Sequence, residues 1–220
     1  MGISVAIDGP AGAGKSTIAK IVSEKFNLMY INTGSMYRAV TLKAMKANIS
    51  EDNVDDLVKI VESLEMHFQE DRLFVNNEDL TDMINMPIIS NNVSKYAAIP
   101  QIREILVKLQ QDIAKKFNVI MDGRDIGTVV LRDATFKFYL TASNEERAKR
   151  RYEELISKGI EVDYNTILSD IIKRDYIDTH REVSPLKKAI DAIEIDSNNL
   201  NINEVAQKMI EYINSSKKIN

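Results

Sequence analysis

Gly9-Pro10-Ala11-Gly12-Ala13-Gly14-Lys15-Ser16 limits what this chain can fold into more than any other stretch of its sequence. It fits the pattern G-x-x-x-x-G-K-[ST], and its setting fits as well. A nearly all-apolar run from Ile3 to Ile7 enters it, and a helical pattern from Lys15 to Phe26 leaves it. A buried strand turning through glycines into a helix gathers backbone N–H groups at the helix start, where a phosphate can sit. Glycines at 9, 12 and 14 keep side chains out of that approach. Lys15 adds a point charge towards the outer phosphates, and Ser16 offers an oxygen to Mg2+. Residues 9 to 17, ending at Thr17, are thus the expected seat of a nucleoside triphosphate.

What happens to that triphosphate is narrowed by absences. No Asn is followed by Lys, so the guanine-reading Asn-Lys-x-Asp is missing, and no glycine completes Asp-x-x-Gly. The apolar run Val119-Ile120-Met121 ends in Asp122-Gly123-Arg124-Asp125, with glycine where a motor ATPase commonly carries its second carboxylate. A transferase that excludes water fits better than a hydrolase, and in such enzymes catalysis is mostly positioning and charge stabilisation. The absence of Cys removes thiolate metal sites, iron–sulfur clusters and thiol nucleophiles. With 29 Lys+Arg against 33 Asp+Glu, the formal net charge is −4, which argues against nucleic acid as a partner. Anionic ligands must then meet local concentrations of positive charge.

Strands and helices alternate along the chain. Phe136 to Leu140 reads as a third buried strand and Ala192–Ile195 as a fourth. Helical spacing covers Ser35 to about Ala47, Glu51 to Leu64, Asn144 to Ser157, Tyr164 to Arg181, and Asn203 to about Ser215. Buried strands alternating with helices predict an α/β fold of three layers, a central parallel sheet with helices on both faces. One stretch breaks the pattern. Met66–Gln69 and Arg72–Val75 read as short antiparallel strands turning at Glu70-Asp71, either decoration or part of a substrate site. No apolar run reaches the roughly 18–20 residues that span a bilayer. The N-terminus lacks a signal peptide's basic flank, so no membrane association and a cytoplasmic location are expected. With no obvious apolar patch for a partner, a monomer is expected.

Arginines occur in groups. Arg147, Arg150 and Arg151 sit at i, i+3 and i+4 on one helix face. They are either a solvated face pairing with Glu145, Glu146, Glu153 and Glu154, or lid arginines that stabilise a transferring phosphoryl group. Arg174, Asp178 and Arg181 continue the inward stripe of Ile167 and Ile171, where charges must pair with one another or with a ligand. Tyr37-Arg38, one turn into the second helix, and Arg124-Asp125, just past the second strand, fall in the crevice outside the strand ends, where α/β sheets bind ligands.

Taken together, Gly9–Thr17, Asn32-Thr-Gly-Ser-Met-Tyr-Arg38, Asp122-Gly-Arg-Asp-Ile-Gly-Thr128 and Arg174-Asp-Tyr-Ile-Asp-Thr-His-Arg181 with Ser184-Pro185-Leu186 resemble the bacterial cytidylate (CMP) kinase family. The segments span nearly the whole chain in the family's order. The resemblance implies one P-loop kinase domain over residues 1–220. It implies a monophosphate-binding region at about 33–100 with a β insertion near 65–80, and a short lid at about 147–164. It also implies transfer of the ATP γ-phosphoryl to CMP or dCMP, with Mg2+ as cofactor and small nucleotides as partners.

The family likeness places Thr33, Arg38, Arg124 and Arg181 around the acceptor phosphate, and Tyr37, Arg174 and Asp178 near the sugar. Ser94, Arg103 and Asp125 match positions that read cytosine. Asp125 can accept from the cytosine amino group, and Arg103 suits the ring's acceptors, whereas uracil would turn an oxygen to the carboxylate. Lys15, Arg124, Arg147, Arg150 and Arg151 become the charge-stabilising set, with Ser16 and Asp122 at the metal and Asp8 nearby. Asn32 and Ser35 stand where the family often has Asp and Ala, and Gln110-Gln111 where Gln-Arg is common. A kinase for UMP or a small metabolite, or a nucleotide-sensing binding protein, are the alternatives to a CMP kinase.

Overall fold

The computed structural model describes residues 2–217. The chain runs β1 (Ser4–Asp8), α1 (Lys15–Phe26), β2 (Met29–Asn32), α2 (Thr33–Lys46) and α3 (Val54–Glu62). Three short strands follow, β3 (Met66–Gln69), β4 (Arg72–Val75) and β5 (Glu78–Asp79), then α4 (Pro87–Ala97) and α5 (Pro100–Lys116). The remainder is β6 (Val119–Gly123), β7 (Phe136–Thr141), α6 (Asn144–Ser157), α7 (Tyr164–His180), β8 (Ile193–Asp196) and α8 (Ile202–Lys217).

Five strands form one parallel sheet in the order β2-β6-β1-β7-β8, with β1 between β6 and β7. Strand alternation divides the core. Val5 and Ile7 face Ile18, Val22 and Met209 of α1 and α8, whereas Ala6, Ile31 and Met121 face Met36, Val40 and Ile102 of α2 and α5. Burial on both faces explains why these strands read as continuous apolar runs. A separate antiparallel sheet, β3-β4-β5, covers the outer side of α2 through Leu73, Val75, Ala39 and Leu42. The α6–α7 pair closes over its own small cluster, Ala148, Leu155, Ile167 and Ile171. Among the described residues, no helix is long and apolar enough to cross a membrane.

The expected α/β architecture is present, with differences at the edges. The hairpin gains a third strand, β5, and the helix expected from Glu51 is shorter, starting at Val54 after Asn53 accepts from the Asp56 N–H. β2, α4 and α5 are elements that the strand–helix reading passed over. The sheet's arrangement brings the C-terminal ends of β1, β2 and β6 together, where α/β folds open their ligand crevice.

Candidate active site

The phosphate loop leaves β1 at Gly9, whose φ is 148° and where a Cβ would lie 2.2 Å from the Leu140 carbonyl oxygen. Only glycine lets the loop pass the end of β7 this closely. α1 begins after Gly14 with no side-chain cap, leaving its first N–H groups to an anion. Lys15 is buried and its ammonium donates to the Pro10 carbonyl at 2.7 Å. Burial first, and then Arg124, hold its pKa well below the usual lysine value.

Ser16 Oγ donates to Asp122 Oδ2 at 2.9 Å, at the end of β6. The Tyr30 phenol donates to the other oxygen of Asp122 at 2.8 Å. Two hard oxygen donors beside a phosphate loop suit Mg2+, which binds through one or two carboxylates and takes its remaining ligands from phosphates and water. Asp8 does something else. Its oxygens accept from the backbone N–H groups of Ile126 and Gly127 at 2.7 and 2.8 Å, fastening β1 to the turn after Arg124-Asp125. Both of its oxygens are thus engaged with backbone N–H groups, while its charge still acts on the neighbouring Lys15 of the phosphate loop.

Every residue expected around the acceptor lines one cleft. Thr33, Tyr37 and Arg38 come from α2, Ser94 from α4, Arg103 from α5, and Arg124 and Asp125 from the end of β6. Arg174, Asp178 and Arg181 come from α7 and its C-cap. Arg103 is fully buried, donates to the Ala97 carbonyl at 3.0 Å and to Asp125 Oδ2, and lies 5.3 Å over the Tyr37 ring. Arg181 approaches the other oxygen of Asp125 at 3.6 Å. Asp178 accepts from Arg124 Nε at 2.8 Å and from Ser94 at 3.5 Å. Although burial works against it, Arg124 and Arg174 hold its carboxyl below the usual range. Thr33 is already committed, its hydroxyl donating to the Asp122 carbonyl at 2.8 Å.

The positive side of the cleft is underpaired. Arg38 Nε and Arg174 Nε are buried without a hydrogen bond. Burial, followed by the neighbouring Arg124, lowers Arg174 to about 10, and burial also lowers Arg38. Cations that depress one another in a cleft are arranged for an anion.

The three arginines of α6 reach different partners, and two of them make the expected pairs with glutamates of their own helix. Arg147 is buried and crosses to the phosphate loop, donating to the Ala11 carbonyl at 2.9 Å, the Ala142 carbonyl at 3.0 Å and Asp175 at 2.6 Å. Arg150 donates to Glu146 and Ser197 and is not among the residues lining the cleft. Arg151 pairs with the exposed Glu154 at 2.7 Å and adds to the repulsion on Arg38. Long side chains fan apart even where the Cα spacing puts them on one face. Gln111 also finds a structural place, donating to the Val129 and Val130 carbonyls at 3.4 and 3.3 Å.

Tyr30 and the apolar wall of Val93 and Ala97 belong to the site and carried no motif, and Asp175, although inside the Arg174–Arg181 motif, was given no role. Tyr30 had one faint signal, its position two residues before Asn32 on the same strand face.

Comparisons with known proteins agree in one direction. The sequence model of the cytidylate kinase family matches residues 5–215. A cytidylate kinase of Clostridium perfringens (strain SM101) is 64% identical over 211 residues, covering 96% of this chain and 97% of that protein. One of Clostridium acetobutylicum (strain ATCC 824) is 61% identical over 219 residues, covering 100% of this chain and 100% of that protein. A solved structure of an uncharacterized protein from Eubacterium ventriosum ATCC 27560 superimposes with a TM-score of 0.56 at 16% identity. It covers 97% of this chain and 99% of that one, and at that identity it speaks for the fold alone.

Proposed function

This chain belongs to the cytidylate kinase family, and from that premise we propose that it transfers the γ-phosphoryl of ATP to CMP or dCMP, giving ADP and CDP or dCDP. The observation that carries the acceptor's identity is the buried Arg103–Asp125 pair at the inner end of an arginine-lined cleft. A carboxylate and a guanidinium side by side offer one acceptor and one donor edge, the complement of cytosine's amino group and ring carbonyl. Uracil turns a carbonyl to the carboxylate instead.

In the reaction, an oxygen of the acceptor 5′-phosphate bonds to the γ-phosphorus as the bond to the β,γ-bridging oxygen breaks, with no covalent enzyme intermediate. The loop N–H groups and Lys15 hold the donor phosphates. Arg38, Arg124 and Arg181 hold the acceptor phosphate, and guanidinium forks suit that bidentate task. Asp178, positioned by Arg124, accepts from the sugar hydroxyls, and Tyr37 and Arg174 lie beside the sugar. Mg2+ held by Ser16 and Asp122 would neutralise phosphate charge in the transition state. Residues 33–100 act as the monophosphate-binding region and about 147–164 as the lid. Arg151 can swing inward at the cost of one exposed ion pair, which is worth little.

A coupled assay of ADP formation across nucleoside monophosphates tests the proposal. CMP-dependent turnover far above that with UMP or AMP is expected, and equal turnover with all three would end the cytosine assignment. Asp125→Ala should narrow the CMP-to-UMP gap by at least about 10-fold while changing the KM for ATP far less.

A further inference from the structure

Asn32 ends β2 and stands immediately before α2, where the donor and acceptor halves of the cleft meet. Its side-chain carbonyl accepts from the Ser35 backbone N–H at 2.9 Å and so caps α2. That contact fixes the orientation of the amide, since the reverse would point two donors at each other. The amide nitrogen then has two protons to give. Two oxygens lie in range, Ser16 Oγ at 3.3 Å and the Tyr30 phenol at 3.1 Å. Both of those hydroxyls donate onward to Asp122, one to each carboxylate oxygen, at 2.9 and 2.8 Å. The four side chains close a ring.

The direction of the bonds around that ring follows from its chemistry. A carboxylate only accepts, so Ser16 and Tyr30 must spend their protons on Asp122. Each hydroxyl oxygen then needs a donor, and Asn32 supplies both. An aspartate at position 32 would remove both donors and add a second carboxylate competing for the one Ser16 proton. The amide leaves Asp122 as the sole carboxylate of the ring.

Resting on the kinase reading above, we propose that Asn32 is a positioning residue for the Mg2+ site. Its amide, acting through Ser16 and Tyr30, holds the Ser16 hydroxyl and the Asp122 carboxylate together at the phosphate end of the cleft. The same side chain caps the helix that carries Arg38, so one residue sets both the cation ligands and the start of the acceptor helix.

Two substitutions separate this role from capping alone. Asn32→Ser keeps a short capping oxygen but cannot reach Ser16 or Tyr30 with a donor. Tyr30→Phe keeps the cap and opens the ring. Electron paramagnetic resonance with Mn2+ and ADP measures cation binding directly, and turnover with CMP gives the Mg2+ concentration at half-maximal rate. Both variants should retain a cooperative melt yet bind Mn2+ in the ADP complex on the order of 10-fold more weakly, with a parallel rise in the Mg2+ requirement. Parental Mn2+ affinity in either variant overturns the proposal. If Asn32→Ser does not fold, Tyr30→Phe decides alone. A parent protein that makes no ADP in response to CMP fails the kinase reading instead, which the same assay reads separately.

Discussion

Asp8 ends the central strand with each oxygen on a backbone N–H, at 2.7 and 2.8 Å, and burial as the leading cause raises its pKa to about 6. A carboxyl raised in the native state binds its proton more tightly there than in the unfolded chain. Its contribution to stability is therefore complete below the unfolded value of 3.8 and is lost as pH rises through about 6. Asp8→Asn carries no such term. Urea unfolding at about pH 4 and about pH 7 should show the stability difference moving in the variant's favour by up to about 3 kcal/mol at the higher pH. An unchanged difference would show that Asp8 is not the group titrating. Lys15 gives the complementary case. Its pKa is depressed by burial and by Arg124, and a bound triphosphate restores it, so ATP binding should take up protons increasingly as the solution becomes alkaline. Calorimetry in two buffers of different ionisation enthalpy measures this uptake. At this scale the sequence was informative about residue type and silent about pairing. Arg103 and Asp125 lie 22 positions apart, and only the packing of α5 against the end of β6 joins them. Asn32 stood out as a departure, but its ring with Ser16, Tyr30 and Asp122 depends on β2 lying beside β6.

Among the elements, α1 was legible to its last residue because both of its ends are local chemistry. A glycine loop starts it, and Asn27, at φ 52°, ends it in the left-handed conformation. The hairpin was equally plain from its alternation and its turn. β2 is four residues long and follows α1 after only Asn27 and Leu28, too short for periodicity to register. α4 and α5 each open on a proline, a readable start signal, and went unread. The small sheet supports α2 from outside the central core, and Leu73 is among its fully buried side chains. Leu73→Ala should cost about 2–5 kcal/mol in urea unfolding. Because α2 also carries Tyr37 and Arg38, the KM for CMP should rise more than the KM for ATP. A parallel rise in both would mean that the small sheet serves the whole fold rather than the acceptor side.

Over the whole molecule, stability and ligand binding pull against each other at the cation cluster. Arg174 has a buried Nε without a partner, and burial with Arg124 lowers its pKa to about 10. Arg174→Met removes that repulsion and should raise the melting temperature of the unliganded protein while weakening CMP binding. Inorganic phosphate should raise the melting temperature of the parent more than that of the variant, because a ligand stabilises by its affinity for the native state. Differential scanning calorimetry with and without phosphate separates the two effects, and a variant less stable than the parent without ligand would contradict the account.

The same cluster has a consequence for how nucleotides arrive and leave. An approaching nucleotide first meets a chain of net charge −4, and only near the crevice does it come within about 8 Å, one screening length at physiological salt, of the inward-facing guanidinium groups. Far-field repulsion and near-field attraction then oppose each other on the approach. Added salt screens both, so the encounter rate changes little, while residence in the crevice shortens as its short-range charge pairs weaken. Ionic strength is therefore expected to act mainly through how long a nucleotide stays, and stopped-flow association and dissociation rates at low and high salt check this.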